Sequence, residues 1–95
     1  MDLEIEWDEE KAMRVAARRG LTFADASSVF LDPLALTVSD PAHSTLEARY
    51  ATIGTTRTNK LVVVVHTDRD QRIRIITAWP ATPGERRTYE RQSRR

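Results

Sequence analysis

The stretch Leu61 to Trp79, LVVVVHTDRDQRIRIITAW, constrains the fold more than any other part of the chain. An apolar run ending in His66 meets a polar turn at Asp68-Arg69-Asp70 and returns with Arg72 and Arg74 alternating with Ile73 and Ile75. Val and Ile at this density suit a pleated, half-buried surface, which predicts two antiparallel strands joined by a tight turn. The returning arginines then place fixed positive charge on one sheet face. Guanidinium stays protonated and donates two parallel hydrogen bonds, a good match to phosphate. The plain alternative is a solvated face, since antiparallel sheets commonly leave one side wet.

Charge is distributed unevenly around this hairpin. Residues 1–56 carry five Lys/Arg against ten Asp/Glu, and residues 57–95 carry ten against four, so a net charge of +1 conceals an acidic half and a basic half. Such a split points to a polyanionic partner for the basic half. A second basic cluster, Arg14, Arg18 and Arg19, interrupts the acidic half at helical spacing. Ninety-five residues with 40% hydrophobic and 31% charged side chains predict one globular domain over 1–95. Val62 to Val65 is too short to cross a bilayer, and the acidic start lacks the pattern of a signal peptide. With no cysteine in the chain, a cytoplasmic location is expected.

Around the hairpin the sequence predicts an α+β domain built on an antiparallel sheet. Leu3, Ile5 and Trp7 alternate with Asp2, Glu4 and Glu6, as in a half-buried edge strand with an acidic outer face. Asp8 caps a first helix that closes at Gly20, and Thr22 with Asp25 opens a second helix carrying Phe23, Ala26, Val29 and Phe30 inward. Leu34 to Val38 and Arg49 to Thr55 read as strands flanking turn residues 39–44, where His43 reads as loop surface. Thr82, Pro83 and Glu85 then start a C-terminal helix in which Tyr89 makes the main apolar contact, followed by a fraying tail.

The candidate chemistry is that of cations and carboxylates. Such groups suit a phosphate ester, whose cleavage by a neighbouring hydroxyl needs a base, an acid and cations around the phosphorane, and no metal. The two histidines lack ligand spacing, and neither metal nor cofactor is expected. Glu47 and Arg49, two apart in a strand, would share a face as base and phosphate clamp, or form an ordinary surface ion pair. His66, with an ordinary pKa of about 6.5, suits proton transfer. An odd hairpin loop would place it opposite Arg74, sharing that arginine's face, and an even loop would place it opposite Ile73. The favoured hypothesis puts His66 and Arg74 on one accessible face. Lys11, Arg18 and Arg19 on the first helix, with Arg69 and Arg72 on the hairpin, are expected to hold phosphates. Trp79 reads as a hydrophobic plug before Pro80, with base stacking as the alternative.

Several segments together resemble one family. Ile5-Glu6-Trp7-Asp8-Glu9-Glu10-Lys11, Arg18-Arg19-Gly20-Leu21-Thr22-Phe23, Val29-Phe30-Leu31-Asp32-Pro33, Glu47-Ala48-Arg49-Tyr50, Leu61 to Arg69, Ile73 to Ala78 and Glu85 to Tyr89 follow in the order and spacing of the BrnT toxins of bacterial type II toxin–antitoxin systems. The resemblance implies a RelE-like ribonuclease that blocks translation by cutting RNA. It also implies a BrnA-type ribbon-helix-helix antitoxin as partner, through which alone operator DNA would be bound. Three positions depart from the family pattern: Val15 stands where Asn is usual, Arg19 where His is usual, and Trp79 where Arg is usual. These departures keep a second expectation open, an inactive relative that binds its antitoxin and serves in operon autorepression.

Overall fold

The computed structural model describes residues 4–93, with the side chains of His43 and Ser93 excepted. Leu3 of the expected first strand and the tail residues Arg94 and Arg95 lie outside the described residues. Five strands form one sheet: β1 (Ile5–Trp7), β2 (Leu36–Ser39), β3 (Tyr50–Thr55), β4 (Leu61–Arg69) and β5 (Arg72–Pro80), in the spatial order β1-β5-β4-β3-β2. Helices α1 (Glu9–Arg19) and α2 (Phe23–Ala26) follow β1, α2 runs on as a 3₁₀ turn over Ser27–Leu31, and α3 (Pro83–Ser93) closes the chain. The α+β class is as the sequence predicts.

The helix ends have the expected chemistry. Asp8 accepts the Glu10 amide at the start of α1, and Gly20 ends that helix at φ 64°, a left-handed conformation that glycine adopts without steric cost. Thr22 caps α2 by accepting from the Asp25 amide. Thr82 and Glu85 form a reciprocal capping box at α3, with bonds of 3.2 and 2.8 Å. The second helix is shorter than expected because Ser27 and Ser28 turn their hydroxyls back onto the Ala24 and Asp25 carbonyls, tightening the turn.

The sheet is mixed rather than wholly antiparallel. β2 to β5 run antiparallel, but β1 lies parallel to β5, with Ile5 opposite Ile73, Glu6 opposite Arg74 and Trp7 opposite Ile75. Period-two alternation identifies a strand but carries no information on its partner, and this one is 68 residues away. The acidic face of β1 therefore answers arginines on β5 and is not simply solvated.

Two apolar clusters cover opposite faces of the sheet. Val62, Val64, Ile75 and Ala78 meet Val15, Leu21, Phe23, Ala26 and Val29 from the helices on one face. On the other, Ile53, Leu61 and Val63 pack with Trp79, Ala81 and Tyr89 beneath α3. Gly54 allows the close approach of the 3₁₀ turn, since a Cβ there would lie 3.0 Å from Val29 Cβ. Farther along β4 the same face carries the fully buried Val65 and then the polar Thr67 and Arg69.

Candidate nucleic-acid interface

The hairpin turns through Asp70 and Gln71, both left-handed at φ 53° and 64°, with Arg69 opposite Arg72. Two left-handed central residues match the twist of the flanking strands. The loop is thus even, and His66 shares its face with Ile73 and lies opposite Ile75, while Arg74 lies opposite Thr67. The hypothesis that His66 and Arg74 share an accessible face is overturned. An irregularity between Val65 and His66 leaves Ile76 without a partner, so the register differs on either side of it.

His66 points to the helical face and is only 6% exposed. Its ring centroid is 4.9 Å from that of Phe30 and 6.0 Å from that of Tyr50, and Nε2 bonds Thr52 Oγ1 at 2.8 Å. Burial holds its pKa below the ordinary value, opposed in part by the charge of Asp68. Nδ1 has no partner among the described residues. A neutral ring locked beneath Phe30 is a structural group and is poorly placed to shuttle protons on the opposite face.

That opposite face gathers most of the other expected residues. Strand alternation aligns Thr67 and Arg69 of β4 with Arg72 and Arg74 of β5 and with Glu4 and Glu6. Arg74 donates to Glu6 at 2.7 Å, and Arg72 donates to Glu4 at 2.8 Å. Arg72 also lies 3.7 Å from Glu6, and its hydrogen bond to Glu4 raises the pKa of its guanidinium further. Glu47 and Arg49 come to this face by a route the sequence did not suggest, because β3 begins only at Tyr50. The segment before it is pinned by Thr67, whose hydroxyl donates to the Ala48 carbonyl at 2.7 Å, and by the Arg49 amide on Ser44 Oγ at 3.0 Å. Glu47 then lies 3.1 Å from Arg69 and 4.0 Å from Arg49, whose Nε is buried without a hydrogen-bond partner among the described residues. Glu6, Glu4 and Thr67 are the residues that sequence reasoning missed. Their signal was the matching two-residue spacing of Glu4/Glu6 and Arg72/Arg74.

The first-helix cations lie elsewhere. Lys11, Arg14, Arg18 and Arg19 line a groove of about 220 Å³ together with Thr77 of β5. Arg19 also donates to the Ala78 carbonyl at 2.6 Å, tying the end of α1 to β5. Trp79 is half-buried in the α3 cluster and donates its indole N–H to Glu85 at 3.1 Å, as a plug does. Among the described residues no group of three or more His, Cys, Asp or Glu is arranged to hold a metal ion. Likewise, no helix among them is long and apolar enough to cross a membrane.

A small α+β fold thus interleaves arginines and carboxylates on one open sheet face, and guanidinium groups are of the kind that can hold phosphate. The model of the family described as the ribonuclease toxin, BrnT, of type II toxin–antitoxin systems matches residues 7–85, and the chain belongs to this family. Its fold is similar to that of the Brucella abortus ribonuclease toxin BrnT, seen in a crystal structure, at a TM-score of 0.63 and 24% identity over 85% of this chain and 99% of that one. No curated protein matches the chain.

Proposed function

We propose that this member of the family is an active, metal-independent RNA endonuclease, with Glu47, Arg49, Arg69 and Arg74 as its working residues. The observation that carries the reading is the Glu47 carboxylate set between Arg69 and Arg49 on the sheet face that holds Arg74. Glu47 accepts the proton of the 2′-hydroxyl, whose oxygen attacks the adjacent phosphorus. The P–O5′ bond breaks, a 2′,3′-cyclic phosphate forms, and the leaving 5′ oxygen takes a proton from water. Arg49, Arg69 and Arg74 donate to the phosphoryl oxygens, where charge grows in the transition state. Lys11, Arg18, Arg19 and Arg72 hold flanking phosphates.

In the cell this cleavage blocks translation. A BrnA-type ribbon-helix-helix antitoxin covers the basic face, and operator DNA is reached only through that antitoxin. The whole chain acts as one domain in the cytoplasm. A second reading, an inactive antitoxin-binding module, is favoured by the ion pairing of Arg74 and Arg69 and by the burial of His66. Inducible expression in bacteria separates the two. Growth arrest with RNA fragments ending in cyclic phosphate, abolished by Glu47→Gln and relieved by the cognate antitoxin, is expected. Normal growth and intact RNA from abundant folded protein would establish the inactive module.

A further inference from the structure

A second basic groove, outside the sheet face, opens where α1, the β3–β4 connection and α3 converge. It has a volume of about 310 Å³ and is lined by Arg19, Asn59, Lys60, Pro80, Ala81 and Arg86 among others, and among the described residues no carboxylate lines it. Its three cations come from three separate elements, so the fold and not a local charge run brings them together. We propose that Arg19, Lys60 and Arg86 form a binding subsite for the phosphodiester backbone of single-stranded RNA, continuous with the groove lined by Lys11, Arg14 and Arg18.

Three observations support the assignment. Arg19 is preorganised by its 2.6 Å bond to the Ala78 carbonyl and lines both grooves, so the two share this residue. The loop presenting Lys60 is fixed by reciprocal bonds, Thr56 N–H to the Lys60 carbonyl at 2.8 Å and Lys60 N–H to Thr56 Oγ1 at 3.1 Å, with Asn59 left-handed at φ 66°. Lys60 Nζ also lies 3.4 Å from the Gly20 carbonyl, which sets its ammonium over the closed end of α1. Position is the third. β1 ends at Trp7 opposite Ile75, so among the described residues no strand pairs with the outer edge of β5 from Ile76 onward, and Arg19 of α1 reaches that edge at the Ala78 carbonyl. Thr77, three residues from Arg74, lies in the first groove, and three residues of strand span about 10 Å. An RNA strand leaving Arg74 therefore crosses the β5 edge directly into this track.

An acidic protein segment would use the same charges, but it would also call for apolar anchors. The apolar side chains Leu21, Leu61 and Val62 at the base of the groove are buried in the core, and the large exposed ones, Met13, Leu31, Leu34, Val38 and Leu46, line neither groove. A backbone of repeated phosphates needs only the cations.

The inference rests on the ribonuclease reading, and its test separates the two. The probe is a short single-stranded oligonucleotide with 2′-O-methyl groups, which binds but offers no attacking hydroxyl. Its affinity is followed by anisotropy over a range of salt for the wild type and for Lys60→Gln/Arg86→Gln. Both side chains are exposed, so the double variant is expected to keep its fold, as circular dichroism would show. Loss of about two phosphate contacts weakens binding roughly tenfold at low salt and flattens the slope of log K against log salt by about 1.4. A parallel assay on cleavable RNA should show the deficit in KM rather than kcat. Unchanged affinity and slope, from a wild type that cleaves RNA, would overturn the subsite and leave the ribonuclease standing. The lost slope from a wild type that cleaves nothing would support the subsite and overturn the ribonuclease. A wild type that does not bind the probe would remove both. Loss of antitoxin binding with RNA binding intact would assign the groove to a protein partner and overturn the proposal.

Discussion

Glu6 on β1 accepts a 2.7 Å hydrogen bond from Arg74 on β5 across the parallel strand pair, joining residues 68 apart in sequence. The side chains are 31% and 27% exposed, so the pair is part of the sheet surface and open to a ligand. Glu6 orients the guanidinium and also competes with any phosphate for it.

Opposite responses should follow from removing either partner. Arg74→Ala is expected to lower kcat/KM for RNA cleavage by about 10²–10³, and Arg74→Lys should restore little, since the planar fork is lost. Glu6→Gln should tighten binding of non-cleavable RNA while costing about 1 kcal/mol of stability in urea unfolding. Weaker RNA binding by Glu6→Gln would show that Glu6 only positions Arg74 and does not compete.

His66 makes stability depend on pH. Its folded-state pKa lies below the ordinary value of 6.5, so the unfolded chain binds the proton more readily. Stability is therefore full above about pH 6.5 and falls as pH drops below it. Urea midpoints at pH 7.5 and 5.5 should differ for the wild type, and the difference should shrink in His66→Gln. Equal pH dependence in the variant would place the effect on another group.

Tyr89 secures α3 to the sheet through Asp32. Its hydroxyl donates to Asp32 Oδ2 at 2.7 Å and receives a bond from Thr55 Oγ1 at 3.3 Å. Burial alone would raise the Asp32 pKa, but bonds from the Thr55 amide, the Tyr89 hydroxyl and the Leu34 amide outweigh it and hold the carboxylate below its usual range. A hydrogen bond to a charged group contributes about 1.5–3 kcal/mol, so Tyr89→Phe should lose about 2 kcal/mol in denaturant unfolding. A loss under about 0.5 kcal/mol would mean that water replaces the hydroxyl.

Gly54 should tolerate no side chain. A new methyl would meet Val29 Cβ at 3.0 Å and Ala35 Cβ at 3.3 Å, and Val29 is fully buried. Gly54→Ala is expected to cost about 1–3 kcal/mol by overpacking, visible as a lower thermal midpoint. An unchanged midpoint would show that the 3₁₀ turn can shift away.

Much of the fold was legible because its signals are local. The Asp8 and Thr82 caps, the Gly20 stop, the Val-rich β4 strand and the returning arginines each announce an element within a few residues. Trp79 as a plug was legible too, since an aromatic before Pro80 beside an apolar strand has few better uses. The shortened second helix was less so, because Ser27 and Ser28 fit a helix as well as a 3₁₀ turn until their hydroxyls choose carbonyls.

The composition of the basic face was therefore determined by the sequence itself. Arg72 and Arg74 had to alternate with Ile73 and Ile75, Arg69 sits beside them at the hairpin turn, and the charge of all three cannot be titrated away near neutral pH. What only the tertiary structure decided was which carboxylates meet them and which way His66 points. The parallel docking of β1 brings Glu4 and Glu6 onto β5, and Thr67 hangs the Glu47–Arg49 segment over the same face. The even hairpin turn sends His66 to the helices. Each of these depends on register or on contacts between distant segments, where a one-residue slip reverses every face, and no local pattern carries that information.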